Sequence, residues 1–141
     1  MTELIDLEPC TYFSIGDQNL ISVGWLSRKT EFEKGSISEE YYERISELVK
    51  NPWEPITHAG VHLCDLCQFS GPAFTKNVFI PYNEQIYVAP EAIVHYSEAH
   101  WYKPPNVFIE AVLNCPEMNT MAYKKALLAN GGRNLVKLAN A

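Results

Sequence analysis

Cys64-Asp65-Leu66-Cys67, followed along the chain by His95 and His100, is the most informative pattern in this sequence. Two cysteines separated by two residues can form a tight turn that directs both sulfurs to one point. Two histidines separated by four residues can direct two imidazoles to the same point. Because structural zinc is bound by four thiolate and imidazole ligands in tetrahedral geometry, the pattern predicts a Cys2His2 zinc site within residues 58–105.

His62 competes with the later histidines for a place in this site. Residues 62 and 64 of an extended segment point to the same face, so His62 can lie beside Cys64. In a regular helix, residues five apart are separated by about 140° around the axis. His100 therefore joins His95 only if it lies at a distorted helix end, and the sequence leaves open whether His62 or His100 completes the metal shell.

Two other interpretations of the cysteine pair are a pair of thiols without metal and a redox-active Cys-x2-Cys. The redox interpretation is disfavoured because Asp65 would raise the thiol pKa rather than lower it. With no secretory signal in the sequence, the four cysteines are expected to be thiols or ligands rather than disulfides. Cys115 falls on the apolar side of a helical pattern, which predicts a small core residue.

The chemistry of such a zinc depends on whether its shell is closed. Four protein ligands leave no position for substrate or water, whereas three ligands and a water form a catalytic site. Glu98 lies between the two later histidines and is the candidate general base for a metal-dependent hydrolase. The spacing His95-x2-Glu98-x-His100 matches neither of the common metalloprotease motifs, so a structural zinc is favoured and hydrolysis is the alternative.

Length and composition favour one globular domain over residues 1–141, because 47% of the residues are hydrophobic and a chain of this size can bury a core. Seventeen acidic and 11 basic residues give a net charge of -6. Nucleic acid is a disfavoured partner, since phosphate contacts need clustered Lys and Arg. Residues 1–10 lack signal-peptide features and no stretch approaches the ~20 apolar residues of a membrane span, which predicts a cytoplasmic protein.

Periodicity and turn residues predict an α+β fold with a small antiparallel sheet or hairpins and three to four helices. Two hairpins are expected, around residues 16–19 and 82–84. A helix over residues 37–50 is expected to begin with a capping box formed by Ser36 and Glu39. A second helix should begin with Pro90 in its first turn and run through His100.

The C-terminal third is predicted to be helical. One helix is expected between the Pro104-Pro105 pair and Pro116. Asn119 or Thr120 can cap another that runs through Leu128, and residues 130–132 end it. Residues 133–141 are expected to form a short tail or a last helical turn.

Residues on both sides of the cysteine pair resemble a family of small uncharacterised bacterial proteins without an established activity. The resemblance covers most of the chain from about Trp25 onward and implies a small domain whose signature is the Cys and His positions. It rests on Gly60-Val61-His62-Leu63-Cys64-Asp65-Leu66-Cys67, Tyr87-Val88-Ala89-Pro90-Glu91-x-Ile93-x-His95-Tyr96-x3-His100-x-Tyr102-x-Pro104-Pro105, Gly24-Trp25-Leu26 and Ala111-Val112-Leu113-Asn114-Cys115-Pro116.

These observations predict a non-enzymatic, zinc-stabilised domain that binds a protein partner as a monomer or homodimer. An immunity or antitoxin-like protein is the concrete form of this hypothesis, since the chain is small and acidic. The glutamates of the first predicted helix form either a solvated face or a docking patch for a basic partner; they are Glu39, Glu40, Glu43 and Glu47.

Overall fold

A computed structural model describes residues 6–9, 20–29, 31–55, 62–67 and 72–139, except for the side chain of His62. Their elements are, in chain order, β1 (Leu20–Ser22), α1 (Glu39–Lys50), β2 (His62–Leu63), β3 (Ala73–Phe74), β4 (Asn77–Tyr82), β5 (Gln85–Pro90), α2 (Ala92–His100), α3 (Asn106–Asn114), α4 (Met121–Ala129) and α5 (Arg133–Ala139). The predicted α+β fold class is confirmed.

A three-stranded mixed sheet in the order β1-β5-β4 forms the centre of the fold. The hairpin predicted around residues 82–84 is confirmed, because β4 and β5 pair antiparallel across a turn in which Asn83 and Glu84 have φ of 52° and 67°. β1 instead pairs parallel with β5, Leu20 opposite Ile86, so this sheet is not purely antiparallel. The turn of the first predicted hairpin, residues 16–19, and the strand before it lie outside the described residues.

Helix α1 begins two residues later than the predicted capping box. Its N-cap is Ser38, whose side chain accepts a hydrogen bond from the backbone N–H of Tyr41, so Ser36 is not the cap. Starting at Glu39 leaves Ile37 ahead of the helix, where it packs on the core. The predicted apolar face is confirmed, with Tyr41, Ile45, Leu48 and Val49 buried.

Pro90 ends β5 instead of opening a helix, and α2 starts at Ala92. The difference arises because Pro90 pairs with Asn77 at the end of the hairpin. The described C-terminal region contains three helices. Thr120 caps α4 by accepting from the N–H of Tyr123, as predicted.

The core lies between the sheet and the helices. Trp25 crosses it and donates its indole N–H to the carbonyl of Val88 at 2.9 Å. Trp53 packs at the core edge against Phe79 and Tyr123, with ring centroids 6.1 and 6.0 Å away. Cys115 is buried, which confirms it as a core residue, and burial raises its thiol pKa to about 12. Among the described residues, no helix combines the length and apolar composition needed to cross a bilayer.

Candidate metal centre

The two cysteines lie on a short turn that follows β2. β2 pairs antiparallel with β3, and the N–H of Cys64 donates to the carbonyl of Pro72 at 3.1 Å. The turn then brings Cys67 back beside Cys64, and the backbone N–H groups of Leu66 and Cys67 donate to the Cys64 sulfur. Donors arranged in this way stabilise a thiolate.

The two histidines lie on α2, and His100 is the last residue of that helix. Trp101 follows in the left-handed conformation, with φ of 60°. The N–H groups of Trp101 and Tyr102 both donate to the carbonyl of Tyr96 and end the helix. The prediction that His100 needs a helix end is consistent with this arrangement, in which the His95 and His100 rings lie 5.2 Å apart.

Four donor atoms converge in the space between the turn and α2. The ligand atoms of Cys64, Cys67, His95 and His100 all lie within 4.8 Å of one another, close enough to bind a metal ion. The Cys64 sulfur is 3.4 Å from Nε2 of His100, and the Cys67 sulfur is 3.3 Å from Nε2 of His95 and 3.5 Å from Nε2 of His100. Bond lengths of zinc to sulfur and nitrogen imply tetrahedron edges of roughly 3.3 to 3.8 Å, and these three sulfur–nitrogen distances lie in that range.

The surroundings of the site shift the pKa values of Cys64 and His100. Burial raises the pKa of Cys64, while the N–H groups of Leu66 and Cys67 act in the opposite direction. Burial, and after it the neighbouring His95, lower the pKa of His100. Both shifts favour the uncharged free ligands in the absence of metal. A bound cation would reverse the balance at the sulfur, because metal coordination deprotonates a thiol.

Supporting contacts around the site were not predicted from the sequence. Arg28 donates from Nε to the carbonyl of Asp65 at 2.8 Å, and its backbone N–H donates to the Asp65 carboxylate at 3.1 Å. The ring of Phe74 on β3 lies 5.8 Å from that of His95. Neither contact has a local sequence signal, since Arg28 is 37 residues from Asp65.

Glu98, the candidate base of the hydrolase hypothesis, is exposed on α2. Its carboxylate accepts a hydrogen bond from the hydroxyl of Tyr42 on α1. His62 lies in β2 opposite Phe74, but its side chain is outside the described part of the chain. The structure therefore brings four of the five predicted ligand residues together.

Of three comparisons with known proteins, the one with family models gave a match. A search of the curated proteins and a search of the solved structures each gave no match. Residues 2–113 match the family model described as Domain of unknown function (DUF7919). The match spans β1 through α2 and α3 up to Leu113, and it includes all four converging residues. With most of its length covered, the chain belongs to the DUF7919 family.

Proposed function

We propose that this chain is a zinc-stabilised, non-enzymatic domain that binds a protein partner. The convergence of two cysteine sulfurs and two imidazole nitrogens within 4.8 Å of one another carries the proposal. Soft thiolates combined with imidazoles in this geometry favour zinc over the hard cations, which select oxygen ligands. Cys64, Cys67, His95 and His100 would hold the ion.

The proposed metal is structural rather than catalytic, because four protein ligands complete its tetrahedral shell. It would join the turn after β2 to helix α2. Among the described residues, the segment that carries Cys64 and Cys67 is held by the two-residue pairing of β2 with β3, the Cys64–Pro72 hydrogen bond, the Arg28–Asp65 contacts and the packing of Leu66 and Cys67 on the core. Zinc binding free energy would therefore contribute directly to the stability of this region.

Metal analysis of ligand variants tests this part of the proposal. Purified protein should contain about one zinc per chain, and Cys64→Ser, Cys67→Ser, His95→Ala and His100→Ala should each lose zinc and thermal stability together. X-ray absorption should give two sulfur ligands at about 2.3 Å and two nitrogen ligands at about 2.0 Å.

His62→Ala is the matched control, because it removes the imidazole that lies two positions before Cys64 in the sequence. It should retain zinc and the wild-type melting temperature. Zinc retained in His100→Ala but lost in His62→Ala would instead assign the fourth position to His62. Metal-free protein that melts like the native protein would remove the structural role altogether.

The proposed partner carries positive charge. Glu39, Glu40, Glu43 and Glu47 are all exposed on α1, in a chain of net charge -6. A face of this kind attracts and orients a basic surface. An immunity-type protein that covers a basic toxin in the cytoplasm is the concrete form of the proposal.

Capture from the native host tests the partner directly. The zinc-loaded chain should recover one protein in stoichiometric amount, and Glu40→Lys with Glu43→Lys should abolish its binding. Glu31→Lys with Glu110→Lys changes the net charge equally at other exposed positions and should preserve it. Absence of any stoichiometric partner, or equal loss with both pairs, would contradict this surface.

The hydrolase hypothesis stays the alternative prediction. It requires an open coordination position and a free base near the metal. The four converging donors and the engagement of Glu98 with Tyr42 support the structural role instead. Zinc-dependent hydrolysis that is lost in Glu98→Gln, with the metal retained, would reverse this preference.

A further inference from the structure

The charge of this chain is divided sharply along its length. All 17 acidic residues lie in residues 1–117, whereas residues 118–141 carry no acid and four basic residues, Lys124, Lys125, Arg133 and Lys137. These four lie on α4 and α5 and are all exposed. Helices α4 and α5 therefore present a basic surface on a chain that is acidic overall.

The same helices carry exposed apolar side chains. Met121 is 65% exposed and Leu128 is 45% exposed. In α4, Met121, Lys124, Lys125 and Leu128 follow the three- and four-residue spacing that places side chains on one stripe of a helix. The exposed stripe therefore combines two cations with two large apolar groups, which is not the composition of a simply solvated face.

A cleft of about 330 Å³ lies beside this stripe, between α4, α5 and Trp53. Buried Tyr123 and Leu127 form its apolar floor together with Val136, and Met121 and Lys124 line its exposed side. None of the described residues that line it is acidic. At the two ends of α4, the hydroxyl of Thr120 donates to the carbonyl of Glu117, and the backbone N–H of Glu84 donates to Oδ1 of Asn130.

We propose that the α4–α5 surface binds an acidic polypeptide segment that inserts a large apolar side chain into the cleft. The cleft has room for such an anchor, and the apolar floor would desolvate it. Lys124, Lys125, Arg133 and Lys137 would pair with carboxylates on either side of the anchor. Except for Trp53 at the edge of the cleft, this surface lies beyond residues 2–113 that match the family, and it is distinct from the acidic face of α1.

A polypeptide fits these observations better than the other polyanions. Anionic lipid recognition uses clusters of four to eight cations with each residue contributing about 1 kcal/mol, and the present four are divided between two helices. Single-stranded nucleic acid needs exposed aromatic platforms, whereas Tyr123 is 1% exposed and Trp53 packs against it.

Selection of displayed random peptides on zinc-loaded protein tests the proposal. Enriched peptides should combine Asp or Glu with one large apolar residue. Their affinity, measured by fluorescence anisotropy, should fall with added salt. Lys124→Glu with Lys125→Glu should weaken binding by roughly tenfold or more, and Ala139→Phe, at an exposed position that lines the cleft, should weaken it without changing the salt dependence.

Lys29→Glu with Lys34→Glu is the matched control, since it alters the net charge equally at exposed positions outside the surface; it should leave peptide affinity within about twofold. Thermal melting verifies that every variant is folded. The proposal is overturned if the selected peptides are not enriched in acidic residues. It is overturned equally if the Lys124→Glu, Lys125→Glu variant binds the peptides as tightly as the wild-type protein does. It is also overturned if phosphatidylserine vesicles or a single-stranded oligonucleotide bind more tightly than the peptides, or if the surface mediates self-association of the chain in sedimentation.

Discussion

Replacing Gly24 with alanine is expected to strain the contact between the segment after β1 and α2, the helix that carries both histidines. Gly24 has φ of +79°, and a Cβ there would lie 2.8 Å from Cδ1 and 2.9 Å from Cγ1 of Ile93. Ile93 is buried on α2, two residues before His95. The substitution therefore combines a left-handed backbone with a steric overlap in a packed core.

The magnitude follows from these two costs. A left-handed conformation costs a residue with a Cβ roughly 1–2 kcal/mol and an overpacked core about 1–3 kcal/mol. Gly24→Ala should therefore lower the free energy of unfolding by roughly 2–5 kcal/mol. Urea unfolding of the zinc-loaded protein, with an unchanged m-value, measures this loss. Retention of the zinc separates the packing effect from ligand loss.

Gly35→Ala provides a matched control. A Cβ at Gly35 would lie 3.1 Å from Cδ of Lys103, a flexible side chain that can move away, and its φ lies outside the left-handed region. Gly35→Ala should lower the free energy of unfolding by less than about 1 kcal/mol. Ile93→Val removes the atom nearest the new Cβ and should recover part of the loss in the double variant. A Gly24→Ala loss no greater than that of Gly35→Ala, or strict additivity with Ile93→Val, would refute the reasoning.

Three further predictions concern the metal and the fold. Chelation should increase backbone hydrogen exchange first in residues 62–67 and 72–74, measured by mass spectrometry; uniform exchange across the described residues would contradict a local anchor. Since burial raises the pKa of Cys64 above its ordinary value of 9.0, its free thiol is protonated at pH 7. Zinc binding should then release at least about one proton and tighten as the pH rises, which titration calorimetry in two buffers detects. Ser38→Ala should cost about 1 kcal/mol of unfolding free energy while Ser36→Ala costs almost none, and the reverse order would restore the cap to Ser36.

Features set by neighbouring residues were predictable from the sequence. The apolar face of α1 repeats every three to four residues, and the β4–β5 hairpin is marked by polar turn residues between two apolar runs. The four converging site residues were also identified, because metal-ligand chemistry restricts both residue type and spacing. The error at Ser36 arose because two serines precede Glu39, and the side chain that accepts a hydrogen bond from the helix is that of Ser38.

Contacts between distant segments were not predictable in the same way. β1 selects β5 as a parallel partner although the paired residues Leu20 and Ile86 are far apart in the chain. Arg28 stabilises the cysteine turn through Asp65, and no local pattern distinguishes it from an ordinary surface arginine. Such pairings depend on which surfaces the whole fold brings together, and that information is distributed over the chain.

The position of His100 shows how the metal centre depends on such a distant contact. Helical geometry alone turns His100 away from His95, so their convergence requires α2 to end at His100. That end places Trp101 in a left-handed conformation, which costs a non-glycine residue roughly 1–2 kcal/mol. Tyr102, the next residue, is buried, and its hydroxyl donates to the carboxylate of Asp6 at 2.6 Å. This bond joins residues 96 positions apart, and the N–H of Gly35 donates to the carbonyl of Trp101 at the same helix end. The spacing of the histidines can therefore identify them as ligands, whereas their geometry depends on distant segments that contact the end of α2.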